Sequence, residues 1–240
     1  GYGILGWLLF FVSVAGLFSP IILGALLIIC TGGLIITMRG ESKVVTPEAT
    51  TPYFAFDWML VGALGLALVF DLFEGLTPPV DGDTLAYHFA LPKQFMELGR
   101  LTFVPRAMDG AVPLLNQMTY IPALSLGGER ALTLWTMVSG WMATYLLFQI
   151  SRHYLDRRWS LAIAAIFLTT PAVVYGGGGG QVEVRNAMFA MVAAFAVADA
   201  VRTGRYRYAV LAGLGVGFFM AGKYIGLLYA LACGLAILRQ

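Results

Sequence analysis

Apolar runs separated by short polar interruptions make up most of this chain, at about 2–18, 21–38, 58–76, 130–150, 160–175, 185–201, 208–222 and 224–238. At ~1.5 Å per residue, about 20 residues cross a hydrocarbon core ~30 Å thick, so several of these runs are near the lower limit for a span. The interruptions are Ser19-Pro20, which reads as a tight hairpin, a Pro- and Thr-rich loop over 39–52, and polar stretches at 151–159, 176–185 and 202–208. The pattern predicts an all-α, polytopic membrane helix bundle.

One stretch breaks the habit. Between Gly75 and Pro113 the chain gathers Asp81, Asp83, His88, Lys93, Arg100, Arg106 and Asp109 directly after an apolar run. Ionisable groups are expensive near lipid, so a cluster this dense has to be paired, hydrated or functional. Within it Leu85, Phe89, Pro92 and Met96 follow the spacing of one helical face, with Thr84, Lys93, Gln94 and Glu97 largely on the other. That suits a helix lying in the membrane interface, kinked at Pro92. A second apolar stretch from Pro113 to Leu126 leads into the run at 130–150 and predicts another interfacial or half-buried helix.

Composition agrees with a bilayer as solvent. The 240 residues are 59% hydrophobic and 12% charged, with a mean hydropathy of +0.81; soluble domains carry about 25% charged residues. A net charge of +2, with scattered basic residues, argues against nucleic acid as a partner. Cys30 and Cys233 lie in apolar runs and read as small buried hydrophobes, with neither metal spacing nor a disulfide framework. Gly1 in place of an initiator Met, and a stop at Gln240 just after an apolar run, read as a fragment cut at both ends. The first run lacks a basic segment before it and a small-residue cleavage site, so it does not read as a signal peptide. The expected division is two spans and a cytoplasmic loop over 1–56, then a truncated catalytic region over 57–240.

Basic-residue bias sets the expected orientation. With the loop after Met38 cytoplasmic, that side holds Arg39, Lys43, Arg152, Arg157, Arg158, Arg202, Arg205, Arg207 and Arg239. The outer side then holds Lys93, Arg100, Arg106, Arg130, Arg185 and Lys223 among many acids, and the 77–113 loop, the 176–185 loop and Lys223 all meet there.

Several constellations on that side carry candidate chemistry. Asp81-Gly82-Asp83 precedes the interfacial helix, where Asp83 is expected as its N-cap. Two carboxylates so close repel, which suits a general base or a metal ligand. Tyr87, four residues after Asp83, falls on the same helical face, and His88 stands beside both acids. Gly176 to Gly180 are five consecutive glycines followed by Gln181, Glu183 and Arg185. They read either as a turn with Glu183 and Arg185 paired to each other, or as backbone that approaches a ligand with those two on its rim. The segment 217–224 nearly spells a phosphate-binding loop, but Tyr224 replaces the required hydroxyl residue and the segment is strongly apolar. Ala209, Gly213, Gly217 and Ala221 read instead as a small-residue stripe for close helix packing. That leaves Lys223 at the outer end of a short helical hairpin, where it could snorkel or hold a lipid phosphate.

These residues resemble the family-39 group of GT-C fold membrane glycosyltransferases. The likeness rests on the acid in Val80–His88, on Pro92-Lys93, and on Gly99 ahead of Val104-Pro105-Arg106. It also rests on Pro113-Leu114-Leu115, on the segment 127–130, and on Gly222-Lys223-Tyr224-Ile225-Gly226, and it covers about 58–238. It implies that an outer-loop acid is the base and that the donor is a sugar on a polyprenyl phosphate. Asp83 matches that acid, with Asp81 as its neighbour, and Glu183 stands where a second acid, commonly Asp, is found. The chain departs from many members in carrying two spans before the one that leads into the acidic loop, and it stops before the remaining helices.

A sugar phosphodiester needs a base for the acceptor hydroxyl and cations for the departing phosphate. The outer side offers Asp81, Asp83 and Glu183 for the first task. Tyr87, His88, Lys93, Arg106, Gln181, Arg185 and Lys223 are the candidates for binding substrate. The expected partners are a lipid-linked sugar donor, a glycan, lipid or protein acceptor, and membrane lipids. No motif specifies a cofactor, and a divalent metal is left open. The rival is a multi-pass transporter with a charged outer vestibule; transporters place ionisable groups near the midplane, whereas here they sit at helix ends.

Overall fold

The structure, a computed structural model, describes residues 1–41, 53–105 and 111–239. Lys43 and Arg106 lie outside the described residues. The chain runs through α1 (Tyr2–Val14), α2 (Pro20–Glu41), α3 (Ala55–Gly75), a π-helical turn (Thr84–His88) and α4 (Ala90–Leu98). It continues through α5 (Leu115–Tyr154), α6 (Arg157–Leu168), α7 (Pro171–Gly178), α8 (Glu183–Thr203), α9 (Tyr206–Gly222) and α10 (Gly226–Leu238). Among the described residues there is no strand, so the fold is an all-α helix bundle.

Local chemistry sets many of the helix boundaries. Ser19 Oγ accepts from the Ile22 amide at 3.3 Å and Pro20 opens α2. Asp57 Oδ2 reaches back to the Phe54 amide at 2.9 Å to start α3, and Asp156 Oδ1 accepts from the Trp159 amide at 3.0 Å to start α6. Within α5, Gly128 adopts φ +67° and ψ −160°, which splits a first segment from the long span behind it.

The helices α3, α5 and α8 are long and apolar enough to cross a membrane. α6 and α7, bent by 66°, make a fourth if they are one broken span. α1, 20–33 and α10 are apolar but shorter. The apolar run at 160–175 is therefore two helices meeting at an angle, because the pair Thr170-Pro171 ends one helix and opens the next.

The helix expected over this loop is interrupted. Pro92 lies in the first turn of α4, where its missing amide has no intrahelical acceptor to lose. The break lies earlier, in the π turn, where the Phe89 amide donates to the Thr84 carbonyl at 2.9 Å. That wider turn shifts the helical phase, so Leu85 faces outward while Phe89, Leu91, Pro92 and Phe95 turn inward. The segment 115–122 is wholly buried rather than interfacial. It threads the centre of the molecule, with Met118 and Ile121 in one cluster with Leu5, Leu9, Leu23, Leu91, Phe95 and Val104.

α8 and α9 share the largest helix–helix contact. The expected stripe of Ala209, Gly213, Gly217 and Ala221 does not form it, since a Cβ at Gly213 or Gly217 would meet open space. The packed face is turned to Ala212, Gly215 and Val216. A Cβ at Gly215 would lie 3.1 Å from both the Ala193 Cβ and the Phe189 carbonyl. Gly215→Val should therefore destabilise the fold by about 1–3 kcal/mol, while Gly213→Ala should leave it unchanged or slightly raised. Thermal unfolding of both variants in detergent checks the pair, and equal effects would contradict this packing.

Candidate active site

The glycine run is shaped by what presses on it. A Cβ at Gly178 would lie 2.8 Å from Glu74 Cδ, one at Gly179 3.1 Å from Asp81 Oδ2, and one at Gly180 2.5 Å from the Phe89 ring. Gly180 is pinned on both sides: its amide donates to Thr84 Oγ1 at 2.9 Å, and its carbonyl accepts from the Tyr120 hydroxyl at 3.0 Å. Thus Gly178, Gly179 and Gly180 hold the 176–181 segment against the end of α3 and the π turn.

Arg185 supplies the other half of that arrangement. It is 0% exposed, so it is not on the rim of the loop. Nε donates to Ser139 Oγ at 2.8 Å, one terminal nitrogen to the carbonyls of Gly176 (3.1 Å) and Gln181, and the other to those of Gly177 (3.1 Å) and Gly179 (3.5 Å). A guanidinium has five N–H donors, and all five are used here. The Arg185–Glu183 pair expected of a plain turn does not form; Glu183 pairs with Lys223 instead.

The π turn brings the acids in. Asp81 Oδ1 accepts from the Thr84 amide at 2.8 Å and from Gln181 Nε2 at 3.4 Å. Asp81, not Asp83, therefore caps this turn. Asp83 makes no side-chain cap bond and is exposed. Tyr87 is half-buried and stacks at a tilt on His88, ring centroids 4.1 Å apart.

His88 ties the π turn to α5. Its ring is buried, Nδ1 accepts from Gln117 Nε2 at 2.9 Å, and the neutral ring carries its proton on Nε2. Burial pulls its pKa down from 6.5 to about 4, while Glu183, Asp83 and Asp81 oppose that pull and Arg185 adds to it. All three candidate carboxylates thus lie within electrostatic reach of one ring.

Lys223 follows the last turn of α9 with extended backbone (φ −162°, ψ 137°) and reaches Glu183; the two side chains are 47% and 49% exposed. Tyr224 donates to the Ala111 carbonyl. Lys93 is drawn elsewhere, to Glu129 at 2.5 Å, where it ties α4 to the second half of α5. An apolar groove of about 380 Å³, lined by Trp7, Phe10, Phe11, 112–115 and Ala221, opens two residues from Lys223. Among the described residues no group of three or more His, Cys, Asp or Glu side chains is placed to hold a metal.

Reading the sequence missed the layer beneath. Asn116, Gln117 and Asn186 are buried, with Asn116 Nδ2 donating to Asn186 Oδ1 at 3.1 Å. Their signal was an amide inside an apolar run, as in PLLNQMTY, which lipid would penalise unless it faced the bundle interior.

A protein-family model described as dolichyl-phosphate-mannose-protein mannosyltransferase matches residues 117–239, just over half of the 240. Gln117, Glu183, Arg185, Asn186 and Lys223 lie within that match, whereas Asp81, Asp83 and His88 precede it. No curated protein and no solved structure matches.

The lowered pKa of His88 makes stability depend on pH. The unfolded chain takes up a proton near 6.5 and the fold only near 4, so stability is full above 6.5 and falls as pH drops through that window. The difference corresponds to about 3 kcal/mol once pH is below both values. Unfolding curves in detergent from pH 7 to 4 should show this loss, and His88→Leu should flatten it. A slope that is unchanged in the variant would assign the effect to other groups.

Proposed function

The chain belongs to the dolichyl-phosphate-mannose-protein mannosyltransferase family, membrane glycosyltransferases of the GT-C type, and we propose that it moves a sugar from a polyprenyl-phosphate donor to an acceptor hydroxyl on the outer membrane face. The family description names a lipid-phosphate sugar as donor and a protein as acceptor. For this chain the acceptor class is a glycan, lipid or protein bearing a hydroxyl group.

The observation that carries this reading is the Glu183–Lys223 pair near an apolar groove, with Asp81 bonded to Gln181 of the glycine loop and Asp83 exposed two residues on. Asp83 is the base: it is exposed and has no capping duty, so its carboxylate is open to an incoming hydroxyl. The hydroxyl proton passes to Asp83, and the oxygen bonds to the anomeric carbon. The bond from that carbon to the phosphate oxygen breaks, and the lipid phosphate leaves with the electron pair. One displacement inverts the anomeric centre.

Lys223 receives the phosphate charge. Its pair with Glu183 is half-exposed, and such pairs contribute only about 0.2–1 kcal/mol, so the singly charged phosphodiester can compete for the ammonium and the phosphate gains a second charge there as it leaves. The groove beside Ala221 takes the lipid chain. At the other end of the bundle, Arg158 meets Asp57 at 3.2 Å and Arg202 approaches His153 at 3.3 Å. Arg152, Arg157, Arg205 and Arg207 share the helix ends there, which supports a cytoplasmic placement of that end and an outward-facing site.

Asp83→Asn should lower turnover by about 10²-fold or more while leaving thermal stability nearly unchanged. Asp81→Asn keeps an acceptor for the Thr84 amide and should lower turnover less. Lys223→Ala should raise the donor KM, with Lys223→Arg partly retaining donor use. Assays of membranes with a polyprenyl-phosphate sugar check all four, and a wild-type rate in Asp83→Asn would remove it as the base.

A further inference from the structure

One helical turn along α8 from Glu183, and next to Lys223 at the end of α9, lie buried amides that the mechanism above does not use. Asn116 is 0% exposed, Gln117 1% and Asn186 2%. They make two hydrogen bonds: Gln117 Nε2 with His88 Nδ1 at 2.9 Å, and Asn116, the residue before Gln117 on α5, from its Nδ2 to Asn186 Oδ1 at 3.1 Å. Asn186 stands one helical turn after Glu183 on α8. On the α9 side, a Cβ at Gly222 would fall 2.2 Å from Asn186 Oδ1 and 2.7 Å from Asn116 Nδ2. The amides are thus packed directly against the residue that precedes Lys223.

Each of the three keeps one buried polar atom that no described protein group satisfies: Asn116 Oδ1, Gln117 Oε1 and Asn186 Nδ2. Leaving such an atom unpaired costs about 1–3 kcal/mol. A purely structural lock between α5, α8 and α9 would be expected to close its own hydrogen bonds. Three unclosed ones, two on adjacent residues of α5 and one on the amide bonded to Asn116, point to a ligand.

We propose that Asn116, Gln117 and Asn186 are the recognition site for the sugar head of the donor, covered in this state by the Glu183–Lys223 pair. The inference rests on the donor reading given above. The unpaired set is two carbonyl oxygens and one amide N–H. A phosphate presents only acceptors and would be repelled by the two oxygens, and a hydrocarbon chain satisfies none of the three. Sugar hydroxyls donate and accept at once, so neighbouring hydroxyls satisfy all three. The cover is weak, because both of its side chains are half-exposed. When the donor phosphate takes Lys223, the cation leaves Glu183 and the layer opens to the attached sugar. Recognition and phosphate capture are thereby one event. A site of this kind discriminates sharply, because an analogue lacking a hydroxyl leaves buried partners unpaired.

The test uses the full chain in nanodiscs with three probes: a polyprenyl phosphate mannose, the same lipid phosphate without sugar, and a set of monodeoxy mannose derivatives of the first. The wild type should prefer the sugar-bearing probe over the bare phosphate, and at least one monodeoxy probe should bind about tenfold more weakly than the parent. Asn186→Leu and, in a second variant that preserves length, Gln117→Met should erase most of that preference while affinity for the bare lipid phosphate stays within about twofold. Monodeoxy probes that all bind like the parent, or folded variants that keep the wild-type preference, overturn the proposal while leaving the donor reading intact. A wild type that takes up neither lipid probe contradicts the donor reading itself, and this inference with it.

Discussion

A guanidinium sealed from water, its five donors satisfied by one hydroxyl and four backbone carbonyls, is the constraint on which the active end of this molecule depends. Four of Arg185's acceptors lie in the short segment from Gly176 to Gln181. Desolvating a cation is expensive, and only a backbone that curls around it can offer so many oxygens at once. Glycines let that backbone curl while pressed against Glu74, Asp81 and Phe89. The loop thus fixed grips the π turn through Gly180 and Thr84 and reaches Asp81 through Gln181. Arg185 acts through the backbone it holds.

The arrangement divides labour among neighbouring residues on α8. Glu183 faces Lys223, Arg185 faces the glycine loop, and Asn186 faces Asn116 and Gly222. A single helical turn therefore couples the cation, the loop and the buried amides, and a displacement of α8 would be felt by all three. The tight approach of α9 at Gly215 limits such displacement, joining helix packing to site geometry.

Much of this was legible in the sequence. Hydrophobic periodicity located the helices, and parity of the apolar runs brought the 77–113 loop, the glycine run and Lys223 together. What pattern could not supply was phase and partner. The stripe expected on α9 ran through Gly213 and Gly217, and the docked α8 meets Gly215 instead. The π turn adds a residue to its hydrogen-bonded ring, which no apolar period announces, and so Leu85 turned outward and the cap passed from Asp83 to Asp81. Arg185 looked like a rim cation because its acceptors are backbone carbonyls, which any sequence possesses. The amides at 116, 117 and 186 were hidden for another reason: Asn186 follows charged Glu183 and Arg185 in the sequence, and the contact of Asn116 with Asn186 is a matter of α5 meeting α8.

Amide hydrogen exchange across 176–181, compared between the wild type and Arg185→Lys in nanodiscs, tests the organising role of Arg185 most directly. A lysine retains the charge but has three donors in place of the five-donor planar fork. The loop should lose its protection and transferase activity should fall with it, while the α8–α9 contact stays protected. Unchanged protection at 176–181 in a folded Arg185→Lys chain would contradict the claim that this guanidinium builds the site.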